Sequence, residues 1–146
     1  MIPVLLLALF LTACGDDGED TVDAGDDGGA TASEVTYADL DGRTFVATSA
    51  TGYEIVAGTT ISLSFEDERI SAAAGCNTQN GGVEVADGQL RLTSQLASTM
   101  MGCEEPLMAQ DQWVASFLDA DPEITLDGDV MTLTVGDESL ELSAES

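Results

Sequence analysis

Thr60-Ile61-Ser62-Leu63-Ser64-Phe65-Glu66 alternates apolar and polar without a break. In an extended chain Ile61, Leu63 and Phe65 share one face, and Ser62, Ser64 and Glu66 share the other. A segment apolar on one face only fits an antiparallel sheet with one side on a core and the other in water. Glu66-Asp67-Glu68 then reads as a turn, and Arg69 to Ala74 as the returning strand.

The same texture extends in both directions. Arg43 to Ser49 is a strand upstream. Gly82 to Ala86 pairs across Asp87-Gly88 with Gln89 to Thr93, Asp-Gly being a strong hairpin signal. Leu96 to Met100 is a further strand. Glu123 to Leu126 turns at Asp127-Gly128 into Val130 to Val135, which turns at Gly136-Asp137 into Ser139 to Ser143. In that last pair Met131, Leu133, Val135, Leu140 and Leu142 share a face. One segment has helical period instead. Glu104-Glu105-Pro106 places acid and proline where a first turn accepts them. Leu107, Trp113, Val114, Phe117 and Leu118 follow on one arc, opposite Gln112 and Ser116, and the helix should stop before Pro122. Trp113 reads as part of that packed stripe rather than as a ligand platform. The fold class is mainly β (α+β). The expectation is a small antiparallel β-barrel or sandwich of about eight strands with one packed amphipathic helix.

The composition is strongly acidic. Of 146 residues, 28 are Asp or Glu; the three bases are Arg43, Arg69 and Arg91, and the formal net charge is -25. Such a surface repels phosphate backbones and anionic headgroups, so nucleic acid is not an expected partner. The chain has no histidine. That removes the usual neutral-pH base and the commonest metal ligand, and with them Ser-His-Asp and Cys-His chemistry. Without lysine there is no Schiff-base route either. The adjacent Glu104 and Glu105 are explained by the helix dipole alone. No catalytic residue, metal ligand or cofactor site is expected.

Residues 2 to 13, IPVLLLALFLTA, are almost wholly apolar. The run has the length of a signal-peptide core and falls short of the roughly 20 residues that cross a bilayer. No Lys or Arg precedes it. It ends in Leu11-Thr12-Ala13-Cys14, which resembles the lipobox of bacterial lipoproteins, where the cysteine is lipidated. Residues 1–13 are therefore read as a lipoprotein signal peptide. Residues 14–36 are read as the lipidated Cys14 followed by a tether, and residues 37–146 as the folded domain. GDDGEDTVDAGDDGGATASE, residues 15 to 34, has one large apolar side chain, Val22, and cannot offset its ordering entropy by burial. Its aspartates do not follow the spacing of a calcium loop. The expected location is the cell envelope, membrane-anchored through Cys14 and facing outside the cytoplasm.

Setting Cys14 aside leaves Cys76 and Cys103. In an exported domain the oxidising surroundings favour a disulfide between them. The rivals are a metal site, which two cysteines without histidine make poorly, and a reactive thiol, which needs a nearby cation that the local sequence lacks. The stretch Asn77-Thr78-Gln79-Asn80-Gly81-Gly82 reads as a polar turn, with Asn77, Gln79 and Asn80 as a possible recognition loop or simply a tight connection that its glycines require.

Gly75-Cys76-Asn77, then Gly81, a hairpin, Leu96-Ala97-Ser98-Thr99-Met100-Met101-Gly102-Cys103 and a helix together resemble the META domain of HslJ-type lipoproteins. Leu40-Asp41-Gly42-Arg43-Thr44-Phe45 is similar to that domain's opening motif, and Gly128 to Leu133 to its ending. The resemblance covers residues 38 to 143. Phe45 stands where tryptophan is usual, Met100 where a basic residue often follows the threonine, and Asp111 near a frequent glutamate. The resemblance implies a compact β-barrel-like domain with a packed helix on an envelope lipoprotein. It also implies links to stress tolerance and novobiocin resistance, in distant relatives to motility or virulence, and no established catalytic mechanism. The leading expectation is a non-catalytic envelope protein that binds an unknown envelope protein or small ligand. A lipid or small-ligand carrier barrel and a protease-inhibitor-like module are the alternatives.

Overall fold

A computed structural model describes residues 34–146. The readings of the leader, of Cys14 and of the tether up to residue 33 lie outside the described residues. Nine strands and one long helix follow a short 3-10 turn at Tyr37–Asp39: β1 (Thr44–Thr51), β2 (Ser62–Glu66), β3 (Arg69–Ala73), β4 (Thr78–Ala86), β5 (Gln89–Leu92), β6 (Ala97–Ser98), α1 (Glu105–Asp119), β7 (Glu123–Asp127), β8 (Val130–Val135) and β9 (Glu138–Ala144).

All pairings are antiparallel. The sheet runs β3-β2-β1-β9-β8-β7-β5-β4, and β3 pairs with β4 to close it into an eight-stranded barrel, as the alternation and turn spacing led one to expect. The register of β1 on β2 sets Phe45 opposite Leu63, and that of β1 on β9 sets Ala47 opposite Leu142. The seam between β5 and β7 is short: Gln89 faces Glu123, flanked by Leu90 N–H to the Pro122 carbonyl (2.8 Å) and Ile124 N–H to the Gly88 carbonyl (2.9 Å).

The inward faces are the predicted ones. Ile61, Leu63, Phe65, Met131, Leu133, Leu140 and Leu142 are all buried, while Val135 is only half-buried at a strand end. Phe45 and Phe65 meet edge to face at 6.0 Å between centroids. These large side chains fill the barrel, so its interior is a packed core. The hairpin turn at Asp87-Gly88 has positive φ at both residues, 54° and 74°, the conformation that a two-residue turn between twisted strands requires. The β7–β8 turn sits one residue later than expected: Asp127 pairs with Val130, leaving Gly128 and Asp129 at the tip.

Two expectations are corrected. Asn77 to Gly82 is not a turn, because Thr78 onward is the first half of β4, paired along its length with β3. Its glycines serve space rather than a left-handed conformation. A Cβ on Gly82 would collide with Thr93 Oγ1, and one on Gly81 would lie 3.0 Å from Leu96 Cδ2, where the chain crosses from β5 to β6. Gly82→Ala is expected to cost about 1–3 kcal/mol by overpacking this crossing, measured as a lower denaturation midpoint with an unchanged slope. The second correction concerns Leu96 to Met100, which yields only the two-residue β6, paired with Gln79 and Asn80. Beyond it the chain leaves the sheet to meet the start of the helix.

Candidate functional site: a methionine-walled groove beside the disulfide

Helix α1 packs over the barrel with Val114, Phe117 and Leu118 buried, and ends at Asp119 before Pro122. Glu104 is the N-cap residue, and the Leu107 N–H donates to its backbone carbonyl at 3.0 Å. Glu104 and Glu105 are both exposed, as expected of acids at a helix start. Trp113 is half-buried. It stacks on Tyr53 (4.2 Å, 13° between planes), leans on Phe117 and donates its indole N–H to Glu138 Oε2 at 3.2 Å. Burial pushes the Tyr53 phenol above its ordinary value.

The buried face of the helix also carries two polar residues that the apolar arc overlooked, Gln110 and Asp111, 0% and 5% exposed. They stand three and four places after Leu107, positions that a 3.6-residue period turns inward, and that spacing was the signal available. Gln110 Oε1 accepts from the Val56 N–H at 2.7 Å. Its Nε2 donates to the Ala74 carbonyl at 2.7 Å and to Thr59 Oγ1 at 2.9 Å. One side chain thus ties the loop after β1 and the end of β3 to the helix.

Asp111 organises the opposite side. Its Oδ2 accepts from the Asn77 backbone N–H (2.8 Å) and from Asn77 Nδ2 (3.0 Å). Asn77 Oδ1 in turn accepts from the Met101 N–H (2.7 Å) and the Thr99 hydroxyl (2.9 Å). Gln79 Nε2 donates to the Asp111 carbonyl at 2.8 Å. A disulfide joins Cys76 to Cys103 alongside, with Cα atoms 6.1 Å apart. The staple and the Asn77 bonds together hold the 99–103 segment against the start of β4.

Asn77 and Gln79, two of the three residues read as a recognition loop, are 6% and 4% exposed and face the helix. Asn80 is half-buried on the other face of β4, beside Ser64, Ser71 and Arg69 in a separate shallow depression. The structure brings the first two together and sets the third apart, as the two-residue period of a strand dictates.

Between β6, the 99–102 segment and α1 lies a groove of about 430 Å³ whose lining includes Leu96, Met100, Met101, Met108, Asp111 and Ala115. Met100 is 94% and Met101 61% exposed, and Val130 is the other large exposed hydrophobic among the described residues. Two adjoining exposed methionines on so acidic a chain are a departure from ordinary surface composition. Among the described residues no group of three or more Cys, Asp or Glu could hold a metal ion, and no helix is long and apolar enough to cross a membrane.

The META domain family model matches residues 38–146. The chain belongs to the META domain family. Two solved structures share its fold. One, determined by NMR, is 25% identical, with a TM-score of 0.63 over 75% of this chain and 94% of the other. The second, an NMR structure of a protein from Burkholderia xenovorans, is 18% identical, with a TM-score of 0.62 over 86% and 99%. No curated relative matches the chain. Within this META domain the two cysteine motifs on which the sequence resemblance was read are the two ends of the staple, and the groove lies beside them.

Proposed function

We propose that this META domain belongs to a non-catalytic lipoprotein, anchored in the cell envelope through Cys14, that contributes to stress tolerance or antibiotic resistance by binding a partner at the methionine-walled groove. The observation that carries the binding role is the exposed Met100–Met101 pair, held in place by the Cys76–Cys103 bond and by Asn77. A surface this acidic gains nothing in solubility from two solvated methionines, whereas a partner that covers them gains apolar burial. The packed interior favours the groove over the barrel lumen as the place for any ligand.

The anchor and the partner are tested together. Cys14→Ser is expected to move the protein from the membrane to the soluble fraction, and retention on membranes after a carbonate wash would refute the anchor. Crosslinking pull-down from intact cells should recover a specific partner with the anchored protein and lose it with Met100→Ser/Met101→Ser. Recovery unchanged by that double substitution would refute the groove as the binding face.

A further inference from the structure

The groove combines apolar walls with a polar strip, in which the Ser98 and Thr99 hydroxyls already donate to the Thr99 carbonyl and to Asn77 Oδ1. Gln79 and Asp111, both among its lining residues, are 4% and 5% exposed, and each keeps one oxygen without a hydrogen-bond partner, Gln79 Oε1 and Asp111 Oδ1. The Gln79 amide is not free to turn, because its Nε2 donates to the Asp111 carbonyl and a flip would set oxygen against oxygen. The other Asp111 oxygen is already taken by Asn77. Buried acceptors are nearly always paired, so two unpaired ones lining the same groove call for an explanation. No arginine lines the groove to supply the missing donors. Arg43 pairs with Asp129, Arg91 with Asp87, and Arg69 borders the depression beside Asn80.

The geometry points to a small cationic amphiphile as the occupant, an assignment that rests on the binding role proposed above. Its apolar body lies along Leu96, Met100, Met101 and Met108. Its protonated amine donates to Gln79 Oε1 and Asp111 Oδ1. An ammonium group brings three donors and no acceptor, which is what these two oxygens lack. The carboxylate makes one of those bonds charge-assisted, and the acidic chain favours a cation over an anion of the same shape. The two oxygens are shielded from solvent, so the amine reaches them only when a wall side chain moves, and the half-buried, unbranched Met108 is the one suited to do so.

The test uses the full chain carrying Cys14→Ser, so that no lipid competes for the probe; binding to the apolar run at residues 2–13 is told apart by where the shifts map and by a groove-filling variant. Phenylbutylamine, phenylbutanol and phenylbutyrate share one apolar body and differ in the head. In an amide NMR titration the amine is expected to shift Asn77, Gln79, Met101 and Asp111 saturably. It should bind about tenfold tighter than the alcohol, the margin of a charge-assisted bond over a neutral one, with no saturable shift from the acid. Ala115→Phe, which fills the groove from a half-buried helix position, should abolish the shifts and leave the rest of the spectrum in place. Equal binding of amine and alcohol, or shifts mapping away from the groove, would overturn the assignment. If no probe binds while the crosslinked partner still depends on Met100 and Met101, the cation assignment falls and the partner role stands.

Discussion

Replacing Cys76 and Cys103 together by serine is expected to lower the unfolding free energy by about 3–4 kcal/mol. The bond closes a loop with a sequence separation of 27, and the chain-entropy estimate for a loop of that size is about 3.5 kcal/mol. The effect should also be local. The 99–103 segment would then depend on Asn77, whose side chain holds the Met101 N–H and the Thr99 hydroxyl. Faster amide exchange at Met101 and Gly102 is expected before any change in the barrel strands. Chemical denaturation of the oxidised protein and the double variant checks the first part, and hydrogen exchange the second. A loss below about 1 kcal/mol would mean that the Asn77 bonds hold the segment unaided.

Gln110→Leu is expected to cost about 2–5 kcal/mol even though leucine fills much the same space. The variant leaves the Val56 N–H and the Ala74 carbonyl facing an apolar side chain, and each orphaned buried group carries a penalty of about 1–3 kcal/mol. Gln112→Leu, two places along on the exposed side of the same helix, should stay within about 0.5 kcal/mol. Denaturation midpoints with matched slopes compare the two. Similar costs at both positions would place the effect in the helix rather than in the buried bonds.

These two predictions separate what the sequence discloses from what it conceals. Ile61, Leu63 and Phe65 announce their face because a strand's period is two and any buried side chain must obey it. The arc from Leu107 to Leu118 announces the helix in the same way. Gln110 and Asp111 lie on that arc but are polar, and a search for apolar stripes passes over them. Their burial depends on partners far along the chain, at Val56, Ala74 and Asn77, which no local pattern specifies. Gly81 and Gly82 mislead for a related reason. Glycine marks either a turn or a close crossing, and only the path of residues 93–96 decides between them. The cysteine motifs carried the resemblance to the family and lie beside the groove. The groove itself arises from three separate segments meeting, and it could not be read from any one of them.

The barrel joins its first strand to its last. The Thr48 hydroxyl reaches the Glu141 carbonyl 93 residues further on, and β9 lies along the whole of β1. Wherever the chain folds, β1 has no partner on that edge until residues 138–144 are in place. During that interval its hydrogen-bonding edge and the face carrying Phe45 have no permanent cover. Closure therefore waits on β9: a chain cut short before Glu138 leaves an open sheet with a ready edge for another copy.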